Sequence, residues 1–88
     1  MNFGEALEHL RAGRGVTREQ WTGEQYLVLV PYSRITVSAD RPLGKALPDL
    51  VGEKLQYTAH IDVVNLGETV SPWAPSQADV LATDWELA

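Results

Sequence analysis

Apolar residues at helical spacing open the chain. They recur at intervals of three and four across Phe3–Ala12, which predicts an amphipathic helix with one buried face. Asn2 stands where an N-cap is needed, and Glu5 follows it by three residues, as in a capping box. Gly13 is suited to end the helix, because glycine adopts the left-handed conformation without steric cost.

The pattern then changes to β-branched and alternating apolar residues, which is typical of strands. A first antiparallel pair is predicted to turn through Gly23, and a second hairpin is predicted to turn through Leu66-Gly67-Glu68. The strands expected from this pattern are Val16–Trp21, Tyr26–Val30, Arg34–Val37, Leu55–Leu66 and Thr69–Trp73.

Between the hairpins, Asp40–Lys54 is rich in proline and glycine and predicts a loop with one helical turn around Lys45–Leu50. Near the end, Ser76 precedes Asp79 by three residues and starts a short closing helix as a variant capping box. The elements together predict an α+β fold: a small antiparallel β-sheet packed with an N-terminal helix and a short C-terminal helix, in a single domain over residues 1–88.

Length and composition narrow the function classes. Eighty-eight residues support one modest core, and small domains often gain stability by forming oligomers. The absence of cysteine removes disulfides and thiolate chemistry and fits a cytoplasmic protein. A net charge of −5 opposes binding to long nucleic acid, although a local arginine can still bind a small anion. No signal peptide or membrane-spanning segment is expected.

No catalytic signature is found in the sequence. It contains no phosphate-binding loop ending in Lys-Ser or Lys-Thr, no HExxH and no Gly-x-Ser-x-Gly. His60 and Asp62 can share a strand face, but a triad also needs a nucleophile, and two ligands do not make a metal site. We therefore expect no enzyme activity, no cofactor and no metal.

Tryptophan is the most informative residue type, with three in the chain. Trp21 and Trp73 lie beside Gly or Pro turns, where an indole ring can pack into the core or face a ligand. Trp85 is expected in the core. Arg18 precedes Trp21 by three residues, and an arginine beside an aromatic platform is a recurring arrangement for phosphate ligands. Asp84 is predicted near a helix C-terminus, where a carboxylate is unfavourable unless it has another role.

Three segments in order resemble the Thoeris anti-defence 2 family. The first is Met1-Asn2-Phe3-Gly4-x-Ala6-Leu7-x-x-Leu10-x-x-Gly13 with Val16-x-Arg18-x-x-Trp21. The second is Tyr57-x-x-His60-Ile61-Asp62, and the third is Pro72-Trp73-x-x-Ser76-Gln77-x-Asp79-x-Leu81-Ala82-x-Asp84-Trp85. Together they cover nearly the whole chain.

The resemblance implies a phage or prophage protein that sequesters, intact, the cyclic ADP-ribose-type signal of bacterial Thoeris immunity. It also implies a homotetramer with pockets between protomers, and for some members binding of cyclic di- or trinucleotides. Trp21 and Trp73 are then candidate stacking platforms, Arg18 a phosphate partner, and Asp79 or Asp84 an acceptor for ribose hydroxyls. The candidate ligand-binding residues are Arg18, Trp21, Trp73, Ser76, Asp79 and Asp84.

Two other functions remain open from the residues alone. One is a hydrolase acting on the same signal, and the other is a protein-interaction module that uses exposed tryptophans. A hydrolase would change the ligand, whereas an interaction module would ignore it.

Overall fold

The computed structural model describes residues 1–88 and has the predicted α+β fold. Its helices are α1 (Phe3–Arg11), α2 (Pro42–Ala46) and α3 (Gln77–Leu81). Its strands are β1 (Val16–Arg18), β2 (Gln25–Val30), β3 (Ser33–Thr36), β4 (Lys54–Tyr57), β5 (His60–Asn65), β6 (Thr69–Pro72) and β7 (Trp85–Leu87). No helix is long and apolar enough to cross a membrane.

Five strands form an antiparallel sheet in the order β6-β5-β2-β1-β7. β2 is the central strand and pairs with β5 along its whole length, from Gln25 opposite Asn65 to Val30 opposite His60. At the far edge, β7 returns to pair with β1 and places Trp85 opposite Arg18. The last strand of the chain therefore lies next to the first.

Helix α1 covers one face of this sheet and supplies much of the core. The predicted capping box is present: the Asn2 side chain accepts a hydrogen bond from the Glu5 N–H at 2.8 Å, and Glu5 accepts one from the Asn2 N–H at 3.1 Å. The fully buried cluster consists of Ala6, Leu10, Val16, Leu27 and Trp85. Only nine of the 88 residues are buried, so the core is small for the length of the chain.

Residues 33–57 form a separate projection, which we call the arm. It contains the two-stranded β3–β4 ribbon, α2 and a 3₁₀ turn at Pro48–Leu50. The radius of gyration is 16.3 Å, and the longest axis is 47 Å. A compact domain of this length would have a radius of gyration of about 12 Å. The arm therefore extends away from the five-stranded sheet instead of packing on it.

The sheet has a second face, which the helices leave open. Leu27 and Ile61 point towards α1, so their neighbours along each strand point the opposite way. The strand pairing sets Tyr26 beside Val64 and Val70 in one row of this face. We call it the open face; its residues are Tyr26, Val28, Val30, His60, Asp62, Val64, Val70 and Pro72.

Several predicted boundaries were wrong. The segment Leu55–Leu66 is not one strand, because it breaks after Tyr57 and its two halves belong to different sheets. The strand predicted at Val16–Trp21 ends at Arg18 and continues as a 3₁₀ turn. α2 begins three residues before the helical turn predicted around Lys45–Leu50. Strand β7 was not predicted, and Asp84 lies beyond the end of α3, in the extended segment that leads into β7.

Candidate functional site

Arg18 is the centre of a polar cluster at the edge of the sheet where β1 pairs with β7. Each nitrogen of its guanidinium donates to a different acceptor: Nε to Asp84 Oδ1 at 2.8 Å, Nη1 to Asp79 Oδ1 at 2.9 Å and Nη2 to Gln20 Oε1 at 2.9 Å. The side chain is only 9% exposed. The fork geometry of arginine makes this three-way contact possible, since its donors lie in one plane and point in different directions.

The two carboxylates of the cluster are held by different local structures. Asp79 is the third residue of α3, where its Oδ2 accepts the Ser76 N–H at 3.1 Å and its own N–H donates to Ser76 Oγ at 3.1 Å. Asp84 follows the helix, and its Oδ2 accepts the Gln20 N–H at 3.1 Å. The predicted capping box is thus confirmed, and the same Asp79 side chain also binds Arg18.

These contacts keep the cluster ionised. The hydrogen bond from Arg18 lowers the pKa of Asp84, and the hydrogen bond to Asp84 in turn raises the pKa of Arg18. For Asp79, burial acts to raise the pKa, but hydrogen bonds from the Ser76 N–H and from Arg18 outweigh burial and lower it. The cluster therefore presents carboxylate oxygens that accept hydrogen bonds and do not readily take up a proton.

Trp85 connects the polar cluster to an aromatic one. Its ring is 2% exposed, as the sequence predicted for a core tryptophan, and its Nε1 donates to the Asp79 carbonyl at 3.0 Å. Trp21 stands edge-on to it with ring centroids 5.2 Å apart, and Trp73 does so at 6.0 Å. Phe3 contacts both Trp73 and Trp85. Trp21 and Trp73 are half-buried, so each keeps part of its ring accessible.

Trp21 faces a cleft of about 620 Å³ between the β1–β2 connection and the β5–β6 turn. The local backbone explains its position: Thr22 and Gly23 both adopt positive φ, at 53° and 77°, and reverse the chain directly after the ring. The cleft is mostly polar and is lined by Gln20, Trp21, Thr22, Gly23, Glu24, Gln25, Asn65, Leu66 and Glu68. We call it the Trp21 cleft.

Trp73 faces a different cleft, of about 530 Å³, between α1 and the β2–β5 part of the sheet. It is mostly apolar and is lined by Phe3, Leu7, Arg11, Leu29, Ala59, His60, Ile61, Trp73 and Pro75. We call it the Trp73 cleft.

The predicted site residues are therefore only partly together. Arg18, Ser76, Asp79 and Asp84 form one cluster, and the two tryptophans open onto separate clefts that none of these four residues lines.

Two contributors were missed by the sequence reasoning. Gln20 completes the guanidinium contacts, but a glutamine two residues after an arginine carries no sequence signal. Arg11 lines the Trp73 cleft, and its spacing of four residues from Leu7 is the signal that could have marked it as a neighbour of the apolar stripe of α1.

The His60–Asp62 pair is present on β5 but is loosely held. His60 Nε2 lies 3.5 Å from Asp62 Oδ1, and the His60 side chain is 47% exposed. No group of three or more His, Asp or Glu side chains is arranged to hold a metal ion.

Comparison with known proteins identifies what the chain resembles. The sequence model of a family described as the Thoeris anti-defense 2-like domain matches residues 1–88. A protein of Bacillus phage SP01 named Thoeris anti-defense 2 is 32% identical over 87 residues, which is 99% of this chain and 93% of that protein.

Proposed function

The chain belongs to the Thoeris anti-defense 2-like family, and from that membership we propose that it is a phage or prophage protein that inhibits bacterial Thoeris immunity. It does so by binding a cyclic ADP-ribose-type nucleotide, such as glycocyclic ADP-ribose, and sequestering it in the cytoplasm of the host cell. Residues 1–88 act as one domain, and cyclic di- or trinucleotides are further candidate ligands.

The observation that carries this proposal is the pair of half-buried tryptophans, each braced edge-on against the buried Trp85. A ring held in this way is already ordered before the ligand arrives. Stacking of a ligand on it therefore costs little side-chain conformational entropy. Stacking on an aromatic side chain suits a nucleobase whatever its identity, because every base has a π-face. The two adjacent clefts are large enough for a nucleotide.

The chemistry of the carboxylates favours sequestration over turnover. A carboxyl group that acts as a general acid in hydrolysis needs a pKa raised towards neutrality. Asp79 and Asp84 have lowered pKa values and are ion-paired with Arg18. They are therefore poorly suited to donate a proton. Because neither lines the Trp21 or the Trp73 cleft, they would accept hydrogen bonds only from ribose hydroxyls of a ligand that extends beyond these clefts.

The working unit in this proposal is a homo-oligomer, and the family resemblance implies a tetramer with pockets shared between protomers. The open face and the small core support it. An antiparallel sheet in a monomer normally has a polar outer face, whereas the open face is mainly valine, tyrosine and proline. A second copy would cover this surface and could complete the Trp21 and Trp73 clefts.

The test is to recover the bound ligand and determine whether it is chemically unchanged. Purified protein is incubated with cyclic ADP-ribose, separated from free nucleotide and heated, and the released material is chromatographed. We expect intact ligand in a fixed ratio to protomers. Conversion of many equivalents per protomer, abolished by His60→Ala or Asp62→Asn, would indicate the hydrolase instead. Failure to retain cyclic ADP-ribose would contradict its sequestration and favour the protein-interaction module.

A further inference from the structure

We propose that Arg11 is the residue that contacts a phosphate of the bound nucleotide, with the ligand ring stacked on Trp73 in the Trp73 cleft. This inference rests on the proposed function and adds to it by assigning the anion contact to one cleft and one side chain. It replaces Arg18 in the role that the sequence suggested for it.

The position of Arg11 follows from the geometry of α1. Phe3, Leu7 and Arg11 are spaced by four residues and lie along one side of the helix, above the same part of the sheet. The first two are apolar and pack against the core, whereas Arg11 is the last residue of the helix. Its side chain is exposed and makes no hydrogen bond or ion pair within the chain, so all its donors are available.

The other basic residues are less well placed. The chain has seven, and four of them lie in the arm: Arg34, Arg41, Lys45 and Lys54. Arg14 lies against His9, with Nη1 3.1 Å from Nδ1. All three kinds of nitrogen in the Arg18 guanidinium already donate to protein acceptors, two of them carboxylates that neutralise its charge. Arg11 is thus the one arginine outside the arm that has an unengaged guanidinium and lines the same cleft as a tryptophan.

The charges around the two clefts also favour Arg11 as the phosphate contact. Glu24 and Glu68 line the Trp21 cleft, which has no basic residue, so a phosphate there would be repelled. The Trp73 cleft contains Arg11 and no Asp or Glu. The chain as a whole carries a charge of −5, so an anionic ligand needs a local positive charge to be held.

Arg11 also has an ordinary structural explanation, and the experiment must separate the two. A positive charge in the last turn of a helix stabilises it through the helix dipole. If that were its whole role, Arg11→Gln would lower the melting temperature slightly and leave ligand binding unchanged. Arg14, which lies just past the same helix end, provides the matched control.

Calorimetric titration is performed on the wild-type chain, Arg11→Gln, Arg11→Lys and Arg14→Gln, with cyclic ADP-ribose and cyclic di-AMP as probes, at low and high salt. We expect Arg11→Gln to weaken binding about 10-fold or more and to reduce its salt dependence, since a charge-assisted contact is lost. The affinity of Arg11→Lys should lie between those of wild type and Arg11→Gln, because lysine keeps the charge and lacks the planar fork. Arg14→Gln should bind as wild type does.

The outcomes distinguish the two proposals. If wild type binds cyclic ADP-ribose and Arg11→Gln binds equally well with the same salt dependence, the assignment of Arg11 is wrong and the proposed function stands. If wild type binds only cyclic di-AMP, and Arg11→Gln loses that binding, the assignment stands and the proposed ligand is wrong. If wild type binds neither probe, both are overturned.

Discussion

At the scale of single residues, the best-defined feature is the ionised cluster around Arg18. The sequence predicts that Arg18 contacts a ligand, which stays a prediction; in the structure its three guanidinium contacts join β1 to α3 and to the segment before β7. The contact with Asp84 spans 66 positions along the chain. No local pattern can predict such a partner, which is why the sequence identified these residues but not their arrangement.

The cluster predicts how stability depends on pH. Asp79 and Asp84 have pKa values below the usual 3.8 in the folded state, so their stabilising contribution is complete above that value. It is lost as the pH falls through 3.8 towards their lowered pKa values, whereas Arg18 stays charged throughout. We expect the melting temperature of wild type to fall between about pH 5 and pH 2, and the fall to be smaller in Asp84→Asn.

Thermal melts across this pH range check the prediction. Asp49→Asn, at an exposed site in the arm, serves as the control and should follow the wild-type curve. Parallel curves for Asp84→Asn and wild type would mean that the Arg18–Asp84 pair does not contribute to acid sensitivity.

The tryptophans should separate by role. Trp85→Ala should cost roughly 3 to 5 kcal/mol of folding stability, because it removes a fully buried ring. Trp21→Ala and Trp73→Ala should each weaken nucleotide binding by roughly 1 to 3 kcal/mol. Their loss of stability should be smaller than that of Trp85→Ala, since both are half-buried. Thermal melting and binding titration on the three variants measure both effects. If Trp21→Ala and Trp73→Ala have low melting temperatures but bind nucleotide normally, Trp21 and Trp73 are core residues.

At the scale of elements, the sequence was most accurate where structure is determined locally. The starts of α1 and α3 were correct because a capping box depends on residues three positions apart. The break between β4 and β5 was missed because two extended segments in line carry the same alternating pattern. Strand β7 was missed because it has only three residues and is stabilised by pairing with distant β1.

The arm offers a test of how elements couple. A methyl group added at Gly44 would lie 2.0 Å from the Ser38 carbonyl oxygen, so Gly44→Ala must displace α2 from the chain beneath it. We expect loss of hydrogen-exchange protection at the amides of Val37 and Gly52, which bond within the arm, and unchanged protection in β2 and β5. Lys45→Ala, exposed on the same helix, should alter neither. Loss of protection throughout the sheet would show that the arm and sheet unfold as one unit.

At the scale of the whole molecule, the elongated shape and the open face are the features that a monomer does not explain. A chain with nine buried residues and an uncovered apolar sheet has much of its potential core still exposed to water. Specific protein interfaces bury about 800 Å² per partner, and the open face offers a candidate surface for such contact. The apolar pattern predicted the strands, but it did not show that β2 has two apolar faces with different surroundings. One face packs against α1, and the other belongs to the open face.

We therefore expect light scattering to give a mass that is a multiple of 9.7 kDa. Val64→Lys places a charge at the centre of the open face and should shift the protein towards monomer, because a buried unpaired charge is costly. Glu8→Lys, at an exposed position of α1 on the other side of the sheet and outside both clefts, makes a charge change away from that face and should keep the wild-type mass. A monomeric wild type across micromolar concentrations would remove the shared-pocket proposal.

The edge-on contacts of Trp85 with Trp21 and Trp73 also determine how the protein fluoresces. Indole rings with centroids 5.2 and 6.0 Å apart are close enough to exchange excitation energy, so we expect the three to emit as a coupled group. A ligand that stacks on one ring will therefore quench light absorbed by all three. A binding titration followed by emission will be sensitive for this reason, yet it will not reveal which cleft is filled. Assigning the signal requires variants that keep a single tryptophan, with phenylalanine at the other two positions.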